Sequence, residues 1–146
     1  MNAAAAQAWF IAGTIPLVFA GALHTVYGLR DTARPTYFAP VDRTVKSAME
    51  GTVMQMRRGA AGPSVWRVWL GVHLTHGLGI FTFALLCLLI ATSDFELIEQ
   101  VDAIRPLTIA FSAALFVICL RFFFYVPALL AGASTACFVV AAVLSA

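Results

Sequence analysis

Residues 66–91 read WRVWLGVHLTHGLGIFTFALLCLLIA, with Arg67 as the single charge and only near the start. A helix needs ~20 predominantly apolar residues to cross a bilayer core of ~30 Å. This run meets that length. Backbone polar groups in lipid have no water to bond, so such a run must be a helix. Three further apolar runs cover about 8–29, 104–120 and 126–144. The chain is 62% hydrophobic and 11% charged, well outside the composition of a soluble domain. The reading is an all-α integral membrane protein, a single domain over 1–146 with four transmembrane helices in a bundle. A net charge of +2 gives no ground for a nucleic-acid partner. Ala20-Gly21-Ala22 has the look of a signal-peptide cleavage site, yet no Lys or Arg precedes it and the apolar run is too long. The first run is therefore expected to be a retained span.

Orientation follows from Lys and Arg. The connection between spans one and two carries Arg30, Arg34, Arg43, Lys46, Arg57, Arg58 and Arg67, and Arg121 lies between spans three and four. The intervening connection is acidic, with Asp94, Glu96, Glu99 and Asp102. The first and third connections are expected in the cytoplasm, with both termini periplasmic. Trp66, Trp69, Tyr27 and Tyr125 then mark the inner interface and Trp9 the outer one.

The first connection is too long to be a structureless loop. Over about 41–58, VDRTVKSAMEGTVMQMRR, apolar residues at Val41, Val45, Ala48, Met49, Val53 and Met56 recur with helical, one-sided spacing. An amphipathic helix is expected there, lying on the cytoplasmic leaflet against anionic lipid headgroups or across the mouth of the bundle. Asp42 and Lys46 can pair one turn apart. In span four, Ala128, Gly132 and Ala136 stand four apart, a spacing that lets helices approach closely.

The polar residues inside the spans are few. Counting ~1.5 Å per residue from Arg30 and Arg67 places His24 and His73 about 9 Å inside the cytoplasmic edge and His76 about 13 Å. Tyr27 and Arg121 belong to the same layer. Imidazoles at this depth are costly facing lipid and belong in a bundle interior. His24, His73, His76, Tyr27 and Arg121 are thus the candidate site. One reading is structural: neutral histidines hydrogen-bonding across helices, for example to Thr25 or to a freed carbonyl. The other is a bound group: a b-type haem on His24 with His73 or His76, a metal ion such as zinc or copper, or a quinone headgroup. Gly71, Gly77 and Gly79 leave room for a flat ring.

Other chemistries lack their residues. The expected spans hold no Asp, Glu or Lys, so a di-iron carboxylate site, an intramembrane carboxylate pair and a Schiff base have no ligands or amine. Cys87, Cys119 and Cys137 form no C-x-x-C and read as small apolar residues.

Gly21-x-x-His24-x-x-Tyr27, then Trp66-x-x-Trp69-x-Gly71-x-His73-x-x-His76-Gly77-x-Gly79, together with RFFFYVP at 121–127, resembles an uncharacterised family of small four-span bacterial membrane proteins. The topology is also loosely similar to DoxX-like proteins. The resemblance implies a bacterial inner-membrane protein and a four-helix fold, and no activity. Two functional readings stay open. One is a non-catalytic subunit or accessory of a larger membrane complex or homo-oligomer, or a small-ligand binder. The other is a membrane oxidoreductase built on the histidines.

Overall fold

The computed structural model describes residues 2–57 and 60–145. Its elements, in chain order, are α1 (Ala3–Ala33), α2 (Arg43–Gly51), β1 (Val53–Arg57), β2 (Ala60–Ser64), α3 (Val65–Ser93), α4 (Phe95–Gln100), α5 (Ile104–Phe122) and α6 (Tyr125–Ser145). Four of them, α1, α3, α5 and α6, are long and apolar enough to cross a membrane. Each covers one of the four apolar runs. Their outward faces are as apolar as their inward ones: Phe19, Leu29, Leu107, Val117, Leu120, Leu129 and Val143 are all more than half exposed. A helix that is hydrophobic all round belongs in lipid or in the core of a large protein. The hydroxyls follow the same logic. Thr75 and Thr92, both exposed, donate to Gly71 O and Leu88 O, one turn back on their own helix. Such bonds leave no polar group to face hydrocarbon.

The chain forms two compact units, Met1–Ala20 with Ile80–Ala146, and Gly21–Gly79. In the first, Phe10 is fully buried. Its ring meets Phe138 at 5.1 Å and Phe95 edge-on at 6.1 Å. Leu17, Ala84, Ala91, Ile98 and Ala141 complete this core. Gln7 Nε2 donates to Ala91 O at 2.9 Å and so joins α1 to the end of α3. Backbones approach closely where side chains vanish: a Cβ on Gly13 would stand 2.8 Å from the Phe138 ring, and one on Gly132 would stand 3.1 Å from Phe116. The buried stripe of α6 is Ala128, Ala131, Ser134, Phe138, Ala141 and Ser145. Ala136, the third member of the expected small-residue stripe, is exposed. The buried positions advance by a mixture of threes and fours rather than by four throughout, as a helix of ~3.6 residues per turn requires.

In the second unit, the amphipathic helix expected over 41–58 is cut short. Helix α2 ends at Gly51, and the chain turns extended at Thr52, whose N–H still bonds Ala48 O. Strand β1 then pairs antiparallel with β2, Val53 opposite Ser64 and Arg57 opposite Ala60. Position 58 lies outside the described residues. The physical reason lies in Gly51-Thr52-Val53. Glycine weakens the helix, two β-branched residues follow it, and β2 supplies the backbone partners an extended chain needs. Val53 and Met56 fit a helical period only because an isolated three-residue spacing carries little information.

The expected Asp42–Lys46 pair is replaced as well. Asp42 is the N-cap of α2, accepting from the Thr44 N–H at 2.8 Å and the Thr44 hydroxyl at 2.7 Å. Lys46 instead pairs with Glu50 at 2.6 Å and lies 5.3 Å from the Trp66 ring. The Thr44 hydroxyl and backbone N–H hold the Asp42 carboxyl below its ordinary value of 3.8. A depressed carboxylate contributes stability that is present above the ordinary value and lost as pH falls through the depressed one. The start of α2 is therefore expected to fray below about pH 4. Helical carbon shifts of residues 43–46 in nanodiscs should fall there and hold steady from pH 5 to 8. Shifts unchanged down to pH 2.5 would show that the cap is not the carboxylate.

Candidate functional site

The second unit brings together His24 from α1 with His73 and His76 from α3. The sequence sets this up simply. His24 sits one turn before Gly28 on α1, and His73 and His76 are three apart on α3, ~60° around the helix. Close helix approach does the rest. A Cβ on Gly77 would stand 2.8 Å from Thr25 N and 3.1 Å from His24 C, and one on Gly28 would stand 3.0 Å from the Leu74 side chain. The two helices thus touch backbone to backbone beside the imidazoles.

His24 Nε2 and His73 Nδ1 are 3.1 Å apart and share one hydrogen bond, with the tautomer deciding which nitrogen donates. The ring of His76 meets His24 edge-on, centroids 5.2 Å apart. The expected partner Thr25 is engaged elsewhere, its hydroxyl donating to Gly21 O at 2.8 Å. His73 is only 7% exposed. Phe38 stacks on its face at 4.1 Å with 6° between the planes, and Trp69 stands edge-on at 4.5 Å. Its remaining nitrogen, Nε2, is buried and has no hydrogen-bond partner among the described residues. Leaving a buried polar group unpaired costs about 1–3 kcal/mol, so this atom requires an explanation.

Phe38 is placed by residues that the sequence reading passed over. Asp31, in the last turn of α1, is fully buried. Its carboxylate accepts from the N–H of Thr36 at 2.9 Å, of Tyr37 at 3.0 Å and of Phe38 at 2.6 Å. The turn is thereby folded back along α1. Trp69 Nε1 donates to Phe38 O at 2.9 Å and fastens the same turn to α3. Tyr27 stacks on Tyr37 at 4.1 Å and 11°, on the turn itself, with the Arg30 guanidinium 5.5 Å from the Tyr37 ring. Arg121 belongs to the first unit, where it is exposed and lies 5.2 Å over Phe122. Of the three glycines proposed to make room for a flat ring, only Gly77 is at a helix contact; Gly71 and Gly79 face open space. The one signal that could have exposed the clamp is the acidic Asp31 itself, set just beyond an apolar run and followed by Pro35.

The donor set bears on the metal and haem readings. Among the described residues, no group of three His, Cys, Asp or Glu is disposed to hold a metal ion. Metal–imidazole bonds of ~2.0–2.1 Å point ring nitrogens at a common centre. Here the two nitrogens of the His24–His73 contact point at each other, and Phe38 covers a face of His73. Neither histidine pair is arranged as axial ligands on opposite sides of a macrocycle.

Fold and site define a helical protein with four helices long and apolar enough to cross a membrane and an aromatic-walled histidine cluster. No family model, no curated protein and no solved structure matches the chain.

Proposed function

We propose that this chain is a small multi-pass protein of the bacterial inner membrane that binds a small organic molecule, without transforming it, at His73. The observation that carries this reading is the buried, unpartnered Nε2 of His73 between Phe38 and Trp69. A ligand oxygen there would complete the hydrogen bonding of the ring, and aromatic walls favour a flat molecule. Phe38, carried on the Asp31 turn, is one of these walls. The accessory role in a larger assembly is compatible with this site, since a bound ligand can be passed to a partner.

The oxidoreductase reading through haem or a metal has less support, because the imidazoles pair with each other. A quinone headgroup remains within the proposed ligand class, being flat and bearing carbonyl oxygens. Purification without detergent delipidation, followed by an absorbance spectrum, elemental analysis and mass spectrometry of the organic extract, tests these readings. A flat organic compound near one per chain, with no Soret band and no metal, is expected. A Soret band that shifts on reduction, or stoichiometric zinc or copper, would overturn the proposal in favour of the cofactor enzyme.

The basic connection 30–67 belongs to the cytoplasmic side by the positive-inside rule, with both termini periplasmic and α2 resting on anionic headgroups. No residue of α2 is buried, and Val41 and Val45 are exposed, which suits a segment covered by lipid. Reporter fusions at both ends should give periplasmic signals. A cytoplasmic signal at either end would reverse the orientation.

A further inference from the structure

We infer that His24 and His73 act as a tautomer-coupled pair that lets His73 Nε2 either donate to or accept from a ligand oxygen. The inference rests on the ligand reading above and adds to it the chemistry of the ligand. Only one hydrogen lies between His24 Nε2 and His73 Nδ1 at 3.1 Å, as long as both rings are neutral. The tautomers of the two rings are therefore tied. If His73 carries its hydrogen on Nε2, its Nδ1 accepts, His24 Nε2 donates, and His24 Nδ1 is bare. If His73 Nε2 is bare, Nδ1 donates, His24 Nε2 accepts, and His24 carries its hydrogen on Nδ1.

The buried Nε2 of His73 is the input end of this pair. A ligand carbonyl selects the first state and a ligand hydroxyl the second. Each state carries one hydrogen per ring, so both rings stay neutral in either state and the ligand keeps its own proton. Phe38 and Trp69 shield the inner ring from other partners. The pair thus suits a ligand whose oxygen exists both as carbonyl and as hydroxyl, and can hold either form without strain.

The test uses the full chain, labelled with 15N-histidine, in phospholipid nanodiscs. Phenol is the donor probe and acetophenone the acceptor probe, each added to saturation. A through-hydrogen-bond coupling between His24 Nε2 and His73 Nδ1 is expected before any addition. With phenol, both rings should shift to the Nδ1–H pattern; with acetophenone, both should shift to the Nε2–H pattern. Absence of the coupling would overturn the tautomer pairing alone. A response of His73 with His24 unchanged would also overturn the pairing and leave the ligand reading standing. A coupling that is present, with neither ring responding to either probe, would overturn the ligand reading and the pairing built on it.

Discussion

Asp31→Asn is expected to lower stability by about 3 kcal/mol, because hydrogen bonds to a charged group contribute ~1.5–3 kcal/mol each and this carboxylate takes the N–H of Thr36, Tyr37 and Phe38. Asparagine is nearly isosteric but replaces one acceptor oxygen with an NH2. In a fully buried position that NH2 is set against backbone donors. The loss should be local first. The turn holding Phe38 should release before the helices separate, and tryptic cleavage after Arg43 should quicken. Asp31→Ala should behave similarly, since the acceptors rather than the shape hold the turn. Thermal unfolding in nanodiscs and the rate of that cleavage check the expectation. An Asn variant matching wild type in both would mean that the carboxylate does not organise the turn.

Gly77→Ala is expected to have an effect of comparable size for a different reason. The added Cβ would stand 2.8 Å from Thr25 N and 3.1 Å from His24 C, and neither is the free end of a side chain. The helices must move apart, at about 1–3 kcal/mol for such overpacking, and the His24–His73 hydrogen bond lengthens with them. Gly71→Ala is the control on the same helix. Among the described residues, nothing lies within 4 Å of its Cβ position, and alanine is the better helix former by ~0.8–1.0 kcal/mol. It should therefore be neutral or stabilising. Equal melting temperatures for the two variants would remove the close approach of α1 and α3 from the account of the site.

These two residues mark the limit of what the sequence made legible. The helices were readable because length and unbroken apolar composition suffice for a span. The meeting of His24 with His73 and His76 was readable from depth, since imidazoles in adjacent apolar runs have few other places to point. Asp31 was not, because its partners are three backbone N–H groups in an aperiodic turn, and no side-chain pattern announces a backbone acceptor. Phe38 looked like one more loop aromatic, and only the turn brings its ring onto His73. The pairing of 53–57 with 60–64 was hidden because Val53 and Met56, three apart, match a helical spacing rather than the period of two that announces a strand.

The central claim is that His73 Nε2 holds a ligand. Native mass spectrometry of the protein extracted directly from its membrane in polymer nanodiscs addresses it most directly. Wild-type protein should carry one organic adduct per chain. His73→Phe, which keeps the ring volume and removes the nitrogen, should lose affinity about tenfold, the equivalent of ~1.4 kcal/mol for one hydrogen bond. Cys87→Ala, in the first unit, should retain the adduct. No adduct on wild type, or equal occupancy in the folded His73→Phe protein, would contradict the claim.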